Sequence, residues 1–333
     1  MQKTKDGYVF FDPMKSAAKF YGLIPGEYAR VPASVREVMS EGLRGLAAHT
    51  SGGRIRFVTA SEKMAVRMIT TGKADMSIMP SSGSSGVDVF EGTGKEMKYI
   101  VSRQPGSGKK KLDNNFEMPK GEKTITVYLP LYNGIRSLEF GLEPGAAVTA
   151  PPPYTHEKPI VFYGSSITQG GCAARTANSY CAMAARYFDS DFINLGFSGS
   201  ARGETFMAEY IAGLDMSCFV LDYDHNAPDA DHLRKTHLPF VQTVLAKQPK
   251  LPVIMLTKPD TNFTTDLERR DIILESYRWM LANGYEAYFV DGGGLFGAGG
   301  RDYCTVDGCH PNDLGFYRMA EAVIEPLKKV LER

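Results

Sequence analysis

No stretch of the 333-residue chain approaches the ~18 consecutive apolar residues that a membrane-spanning helix needs. Excess charge is missing too. Lys+Arg and Asp+Glu both number 38, so net charge gives no ground for a nucleic-acid or anionic-membrane partner. The one basic run, Lys109-Lys110-Lys111, lies between Gly106-Ser-Gly108 and Asp113-Asn-Asn115 and reads as a solvated loop. The five cysteines are Cys172, Cys181, Cys218, Cys304 and Cys309, an odd number. Two of them, Cys181 and Cys218, fall in an expected helix and strand, which fits free thiols better than a disulfide framework. Cys304, Cys309 and His310 invite a zinc reading, but no second ligand pair stands at a suitable spacing, so no metal is expected.

Leader and nucleotide signals are absent as well. Met1-Gln-Lys-Thr-Lys-Asp-Gly7 leads into only Tyr8-Val-Phe-Phe11, too short for a signal-peptide core. The expectation is a cytoplasmic protein, or a secreted or periplasmic one if a leader has been removed. Gly164-Ser-Ser-Ile-Thr-Gln-Gly170 lacks the Gly-Lys-Ser/Thr ending of a phosphate-binding P-loop. Gly292-Gly-Gly-Leu-Phe-Gly297 matches the dinucleotide fingerprint in form only, since Ala298-Gly-Gly-Arg-Asp302 does not open a helix. No cofactor is expected.

What is present fits about two domains at the rough guide of ~150 residues each. From Arg54 to about Gly141 the chain reads as short strands with turn residues between them: Arg54–Thr59, Met64–Ile69, Val87–Phe90, Met97–Val101, Thr124–Leu129 and Ile135–Phe140. Strands at this spacing, without intervening helices, predict an antiparallel β-sandwich. Asn133-Gly134 predicts a hairpin between the last two. Val35, Val38, Met39, Leu43 and Leu46 have helical spacing, which Gly42 and Gly45 weaken. Ser81-Ser-Gly-Ser-Ser-Gly86 reads as a flexible loop, either a turn or a mobile rim. Glu143-Pro-Gly to Pro151-Pro-Pro153 has a linker's composition (about 143–158), which places a boundary near residue 153. The expected domains are 1–153 and 154–333.

Past the linker, strands alternate with helices. Ile160–Tyr163, Phe192–Leu195, Phe219–Tyr223, Val253–Leu256 and Ala287–Val290 are apolar strands, with helical stretches near 178–188, 203–213, 229–248, 265–282 and 314–331. This predicts a doubly wound, three-layer α/β/α domain with a five-stranded parallel sheet in the order 2-1-3-4-5. Thr265-Asp-Leu-Glu268 reads as a capping box, with a stripe of Leu267, Leu274, Tyr277 and Leu281 behind it. Pro239 is expected to start or split the third helix. His237 and Trp279 are expected in the core.

Two segments carry chemistry. The strand Ile160–Tyr163 stops at Gly164 and delivers Ser165 and Ser166 to the carboxyl edge of the sheet, where open α/β folds place ligands. Near the C-terminus, Asp307-Gly-Cys-His310 sets an Asp three residues before a His, able to accept the Nδ1 proton and leave Nε2 outward. A serine needs such a base within reach.

These residues resemble the SGNH hydrolase, or GDSL lipase/acylhydrolase, superfamily. Gly164-Ser165-Ser166-Ile167 is similar to its first block, which makes Ser166 the nucleophile. Asn194-Leu-Gly-Phe-Ser-Gly199 matches the second and puts Gly199 in the oxyanion position. Asp224-His225-Asn226-Ala227 stands for the third, with Asn226 retained and its flanks changed. Asp307-Gly-Cys-His310 is the last. Gly86-Val-Asp-Val-Phe90 is similar to the Gly-x-Asp-Leu-Tyr motif of a subgroup with an N-terminal, jelly-roll-like β-sandwich. The resemblance implies a serine esterase that removes a small acyl group, such as acetyl, from a carbohydrate. Ser166, His310 and Asp307 would form its triad, with an oxyanion hole of Ser166, Gly199 and Asn226. Gln169, Arg175 and His225 are possible substrate contacts, whereas Cys172 is expected to pack in its loop. An acyltransferase using the same residues and a catalytically degenerate carbohydrate-binding protein are the alternatives, and a homo-oligomer stays open.

Overall fold

The computed structural model describes residues 4–5, 7–259 and 266–332. Ten strands fill the first half: β1 (Thr4–Lys5), β2 (Tyr8–Phe11), β3 (Lys19–Tyr21), β4 (Arg54–Thr59), β5 (Lys63–Thr70), β6 (Val87–Glu91), β7 (Lys98–Arg103), β8 (Lys111–Glu117), β9 (Lys123–Tyr128) and β10 (Ile135–Leu142). They form two antiparallel sheets, ordered β1-β2-β10-β5-β8 and β3-β4-β9-β6-β7. Chain-consecutive strands such as β4 and β5 lie in opposite sheets, the connectivity of a jelly roll. Phe57, Val66, Val127 and Phe140 meet between the sheets at 0% exposure.

Several expectations in this half are corrected. Asn133-Gly134 makes no hairpin, because β9 pairs with β4 and β6 while β10 pairs with β2 and β5. The segment crosses between sheets, and the Asn133 amide instead binds Gly72 and Ser85. Ser81–Gly86 is no mobile rim. Ser81–Ser84 is a helical turn, and a Cβ on Gly83 would fall 2.1 Å from the Ala173 carbonyl O. The 35–46 stretch forms two short helices, Ala33–Glu37 and Glu41–Ala47, broken where Val38 turns to solvent. Strand β8 was hidden by its polar Asp113-Asn-Asn115 face, while Leu112 and Phe116 point inward.

The second half holds β11 (His156–Gly164), β12 (Ser190–Gly196), β13 (Cys218–Asp222), β14 (Val253–Leu256) and β15 (Ala287–Val290). All pair in parallel in the order β12-β11-β13-β14-β15, which is the expected 2-1-3-4-5. Helices Thr205–Ala212, Ala230–Lys247 and Leu267–Ala282 cover one face, and Tyr180–Tyr187 and Asp313–Leu331 the other. Three layers result.

Pro239 lies inside helix Ala230–Lys247 rather than at its start. The helix tolerates the lost N–H because Leu233, His237, Phe240, Val241 and Val244 stay buried along one face on both sides of it. His237 is buried against Ser276, as expected of a structural residue. The stripe expected on the next helix is wrong, since Leu267 and Leu281 are exposed and Ile272, Ile273, Ser276 and Met280 face inward. Asp266 caps that helix through Arg269 N–H, whereas Thr265 of the expected capping box lies outside the described residues. Trp279 is half-buried and stacks on Tyr285. No described helix is long and apolar enough to cross a membrane.

The two halves are joined by buried polar contacts rather than by a bare linker. Arg30, fully buried, donates to the carbonyls of Asn194 and Gly196 at the end of β12. Arg54 pairs with Asp191 and lies over the Phe192 ring. Asp88, the acidic residue of the Gly86–Phe90 motif, accepts from Ala177 N–H at 2.9 Å.

Candidate active site

The turn that carries Ser166 is shaped by what Gly164 permits. A Cβ there would meet Thr168 Oγ1 at 2.1 Å and the Asp222 carbonyl O at 2.2 Å, so only glycine lets β11 run so close to β13 before turning. Ser165 then acts as the N-cap of a one-turn helix, Ser166–Gln169, its Oγ accepting from Ile167 N–H. That cap uses up the Ser165 side chain. Ser166 is left as the first helical residue, its hydroxyl free to face His310.

The Ser166 Oγ lies 3.0 Å from His310 Nε2, and His310 Nδ1 lies 2.8 Å from Asp307 Oδ2. Asp307 Oδ1 accepts from the N–H groups of Cys309 and His310 at 3.0 and 2.7 Å. Partial burial pushes the Asp307 carboxyl upward, but these hydrogen bonds outweigh it and hold the group below its ordinary value. The structure thus brings together three of the expected residues, from segments 144 positions apart at Ser166 and His310.

Asn194 and Gln169 fasten the neighbouring loop. Asn194 Nδ2 donates to the Thr168 carbonyl, and Gln169 Oε1 accepts from Ser198 N–H. Gly199 follows with φ of +64°, a conformation that glycine adopts without strain. Asn226 Nδ2 donates to the Phe197 carbonyl at 2.9 Å, so Asn226 joins the same loop. Among the described residues, the N–H groups of Ser166 and Gly199 donate to no protein acceptor. Unspent donors of this kind can meet an oxyanion.

The expected substrate contacts divide. Gln169 is fully buried, and its amide nitrogen is spent on Leu131 and His49, which leaves it no group for a substrate. Arg175 is half-buried, stacked 4.2 Å over Tyr99 and bonded to Asn178. It lines a groove of about 700 Å³ that passes Asp313, Tyr187, Tyr317 and Lys328. His225 faces Cys309, its Nε2 3.0 Å from the sulfur, while its Nδ1 is buried with no partner among the described residues.

Four features here were not foreseen. Tyr132, from the β-sandwich, donates its hydroxyl to the Ser166 carbonyl at 3.0 Å. Ser51 Oγ donates to the Gln169 carbonyl, and Ser82 Oγ to that of Ala174. Asp222, at the end of β13, accepts from Thr168 and Tyr180 beneath the nucleophile turn. Burial, then the nearby Asp224 charge, raise it to about 8. Cys309 is the fourth. Burial raises its thiol, but hydrogen bonds from His225 and His310 bring it down to about 6. The same contact with Cys309, ahead of Asp307 and against burial, lifts His310 to about 9. Adjacency to His310 was the only sequence signal for Cys309, and nothing in spacing linked it to His225. Asp307, Cys309 and His310 have ligand atoms within 4.8 Å of one another and could hold a metal ion.

Residues 157–328 match the GDSL-like Lipase/Acylhydrolase family. Residues 8–148 match the GxDLY family, the N-terminus of SGNH-hydrolase-type esterases. A comparison with curated proteins gives no match. Among solved structures, a protein described as a GDSL-like lipase from Bacteroides ovatus is 26% identical, with 98% of each chain covered and a TM-score of 0.84. A salicylyl-acyltransferase from a tetracycline biosynthetic pathway is 19% identical over 98% of each chain, with a TM-score of 0.79. An acetyl xylan esterase from the rumen bacterium Butyrivibrio proteoclasticus is 12% identical, covering 98% of this chain and 99% of its own, with a TM-score of 0.62. At their identities the last two are alike in fold.

Proposed function

The chain belongs to the GDSL-like lipase/acylhydrolase family, and on that premise we propose that it is a serine esterase removing a small acyl group, acetyl foremost, from a carbohydrate. The observation that carries the reading is the unbroken relay Ser166 Oγ–His310 Nε2 and His310 Nδ1–Asp307 Oδ2, at 3.0 and 2.8 Å. His310 takes the Ser166 proton as the oxygen attacks the ester carbonyl. Asp307 fixes the tautomer and stabilises the imidazolium. The oxyanion meets the N–H groups of Ser166 and Gly199 and the Asn226 amide. Collapse releases the alcohol, protonated by His310, and leaves an acyl-serine. Water, activated by the same imidazole, then hydrolyses it.

The carbohydrate part of the proposal is supported by the acetyl xylan esterase among the structures of like fold. In this reading residues 154–333 carry the chemistry, and residues 1–153 brace the nucleophile turn.

Acyl transfer is the second reading, favoured by the fold shared with the salicylyl-acyltransferase. It needs the same residues and differs in the acceptor. Incubation with acetylated xylan oligosaccharides, followed by mass spectrometry with and without added alcohols, separates the two. Free acetate that does not fall as acceptor rises supports hydrolysis. Acyl product formed in place of acetate supports transfer.

A further inference from the structure

The loop holding His310 also carries Cys309, a group that the relay does not use. His225 leaves the short turn Asp224–Asn226 after β13, and its Nε2 reaches the Cys309 sulfur, 84 positions away, at 3.0 Å. Cys309 and His310 are neighbours, and with Asp307 their ligand atoms lie within 4.8 Å of one another. A thiol, an imidazole and a carboxylate, with a second imidazole against the thiol, form a soft-to-borderline donor set. Such a set suits zinc-class ions and not magnesium or calcium, which want oxygen.

Geometry allows it. With bonds of ~2.3 Å to sulfur and ~2.0–2.1 Å to nitrogen, tetrahedral ligand atoms stand roughly 3.3–3.8 Å apart. The ligand atoms of Asp307, Cys309 and His310, within 4.8 Å of one another, need to close by at most about 1.5 Å, a side-chain adjustment. An ion has access, because the side chains of His310 and Asp307 are 25% and 30% exposed. The other four cysteines are buried, so Cys309 is the thiol an entering ion meets first.

We propose that Asp307, Cys309 and His310 bind a zinc-class divalent cation, with His225 holding the Cys309 sulfur and water completing the shell, and that occupancy silences the esterase. Binding forms the sulfur–metal and nitrogen–metal bonds and releases the proton that Cys309 and His310 hold between them, with no change of oxidation state. His310 cannot serve both roles. A metal on Nε2 removes the base that faces Ser166, and a metal on Nδ1 breaks the bond to Asp307. The silencing rests on the esterase reading above, whereas the binding does not.

Cobalt(II) tests the two apart, because a cobalt–thiolate bond gives a near-ultraviolet charge-transfer band whatever the enzyme hydrolyses. The wild-type protein should develop the band, Zn²⁺ should displace it, and Mg²⁺ should not. Cys309→Ser should lose it, and His225→Gln should weaken it. In parallel, saturating Zn²⁺ should slow p-nitrophenyl acetate hydrolysis by about 100-fold, within the range of a lost general base, and chelation should restore it. Cys309→Ser, measured against its own metal-free rate, should escape this inhibition. Absence of the band in wild type, or an unchanged band or inhibition in Cys309→Ser, overturns the proposal. A band lost with Cys309→Ser in a protein that hydrolyses no ester upholds the binding site and sinks the esterase reading instead.

Discussion

The hydroxyl of Tyr132 donates a 3.0 Å hydrogen bond to the carbonyl of Ser166, so a residue of the β-sandwich holds the Ser166 peptide itself. Ser51 and Ser82 grip the same loop at Gln169 and Ala174. The first half is therefore part of the site's rigidity and not an appendage. Removing the Tyr132 bond while keeping its ring should cost about 0.5–1.5 kcal/mol, the net value of one such bond. Tyr132→Phe is expected to lower kcat about two- to tenfold with little change in KM, as read from steady-state kinetics. A drop in thermal stability without a change in kcat would count against a bracing role.

Asp88 ties the sandwich to Ala177 from the other side. Its carboxylate is buried, and Asp88→Ala leaves the Ala177 N–H buried without an acceptor. The expected loss is about 1–3 kcal/mol of stability, measurable by urea denaturation.

The Asn226 amide is one of three proposed oxyanion donors. Asn226→Ala is expected to lower kcat by about 100- to 1000-fold, with KM little changed. Because Asn226 also bonds the Phe197 carbonyl, the circular dichroism of the variant should match wild type before the loss is assigned to the oxyanion.

A neutral imidazole is needed to take the Ser166 proton, and His310 is lifted to about 9, first by Cys309. Rate should therefore climb as pH rises towards 9 and fall away below it. Cys309→Ser removes the largest cause of the shift, so the midpoint of the acid limb should move to lower pH. A kcat/KM profile over pH 5–10 checks this, and an unmoved midpoint would mean that Cys309 does not set the base.

Asp222 is held at about 8 by burial, so the folded protein keeps its proton where an unfolded chain, with the ordinary value of 3.8, has lost it. A folded value raised in this way gives stability that is complete below the unfolded value and lost as pH rises through the folded one. Asp222→Asn stays neutral throughout. Its stability relative to wild type should grow between about pH 4 and 8, by a few kcal/mol in order of magnitude. Chemical denaturation at the two ends of that window reads the difference.

The parallel sheet was legible because its strands are short apolar runs broken by glycine, and β11 to β15 fall where those runs lie. Its order was one of several that the crossover rules allow. The antiparallel sheets were legible in kind but not in pairing, since strands such as β9 and β10 read alike whether they share a sheet or face each other. Ser166, Asp307 and His310, which the fold brings together, each sit in a recognisable local pattern. Gln169 was misjudged because its place in the loop after the nucleophile says nothing of burial. Cys309 against His225, and Tyr132 against Ser166, join residues far apart in the chain, so only the fold brings them together.

The account turns on Ser166 as nucleophile. Wild-type and Ser166→Ala protein should be compared for p-nitrophenyl acetate hydrolysis and for labelling by a fluorophosphonate. Rapid hydrolysis and a single adduct on Ser166 are expected in wild type, with both lost in the variant. Equal hydrolysis by the two proteins, or an adduct that persists in Ser166→Ala, would contradict it.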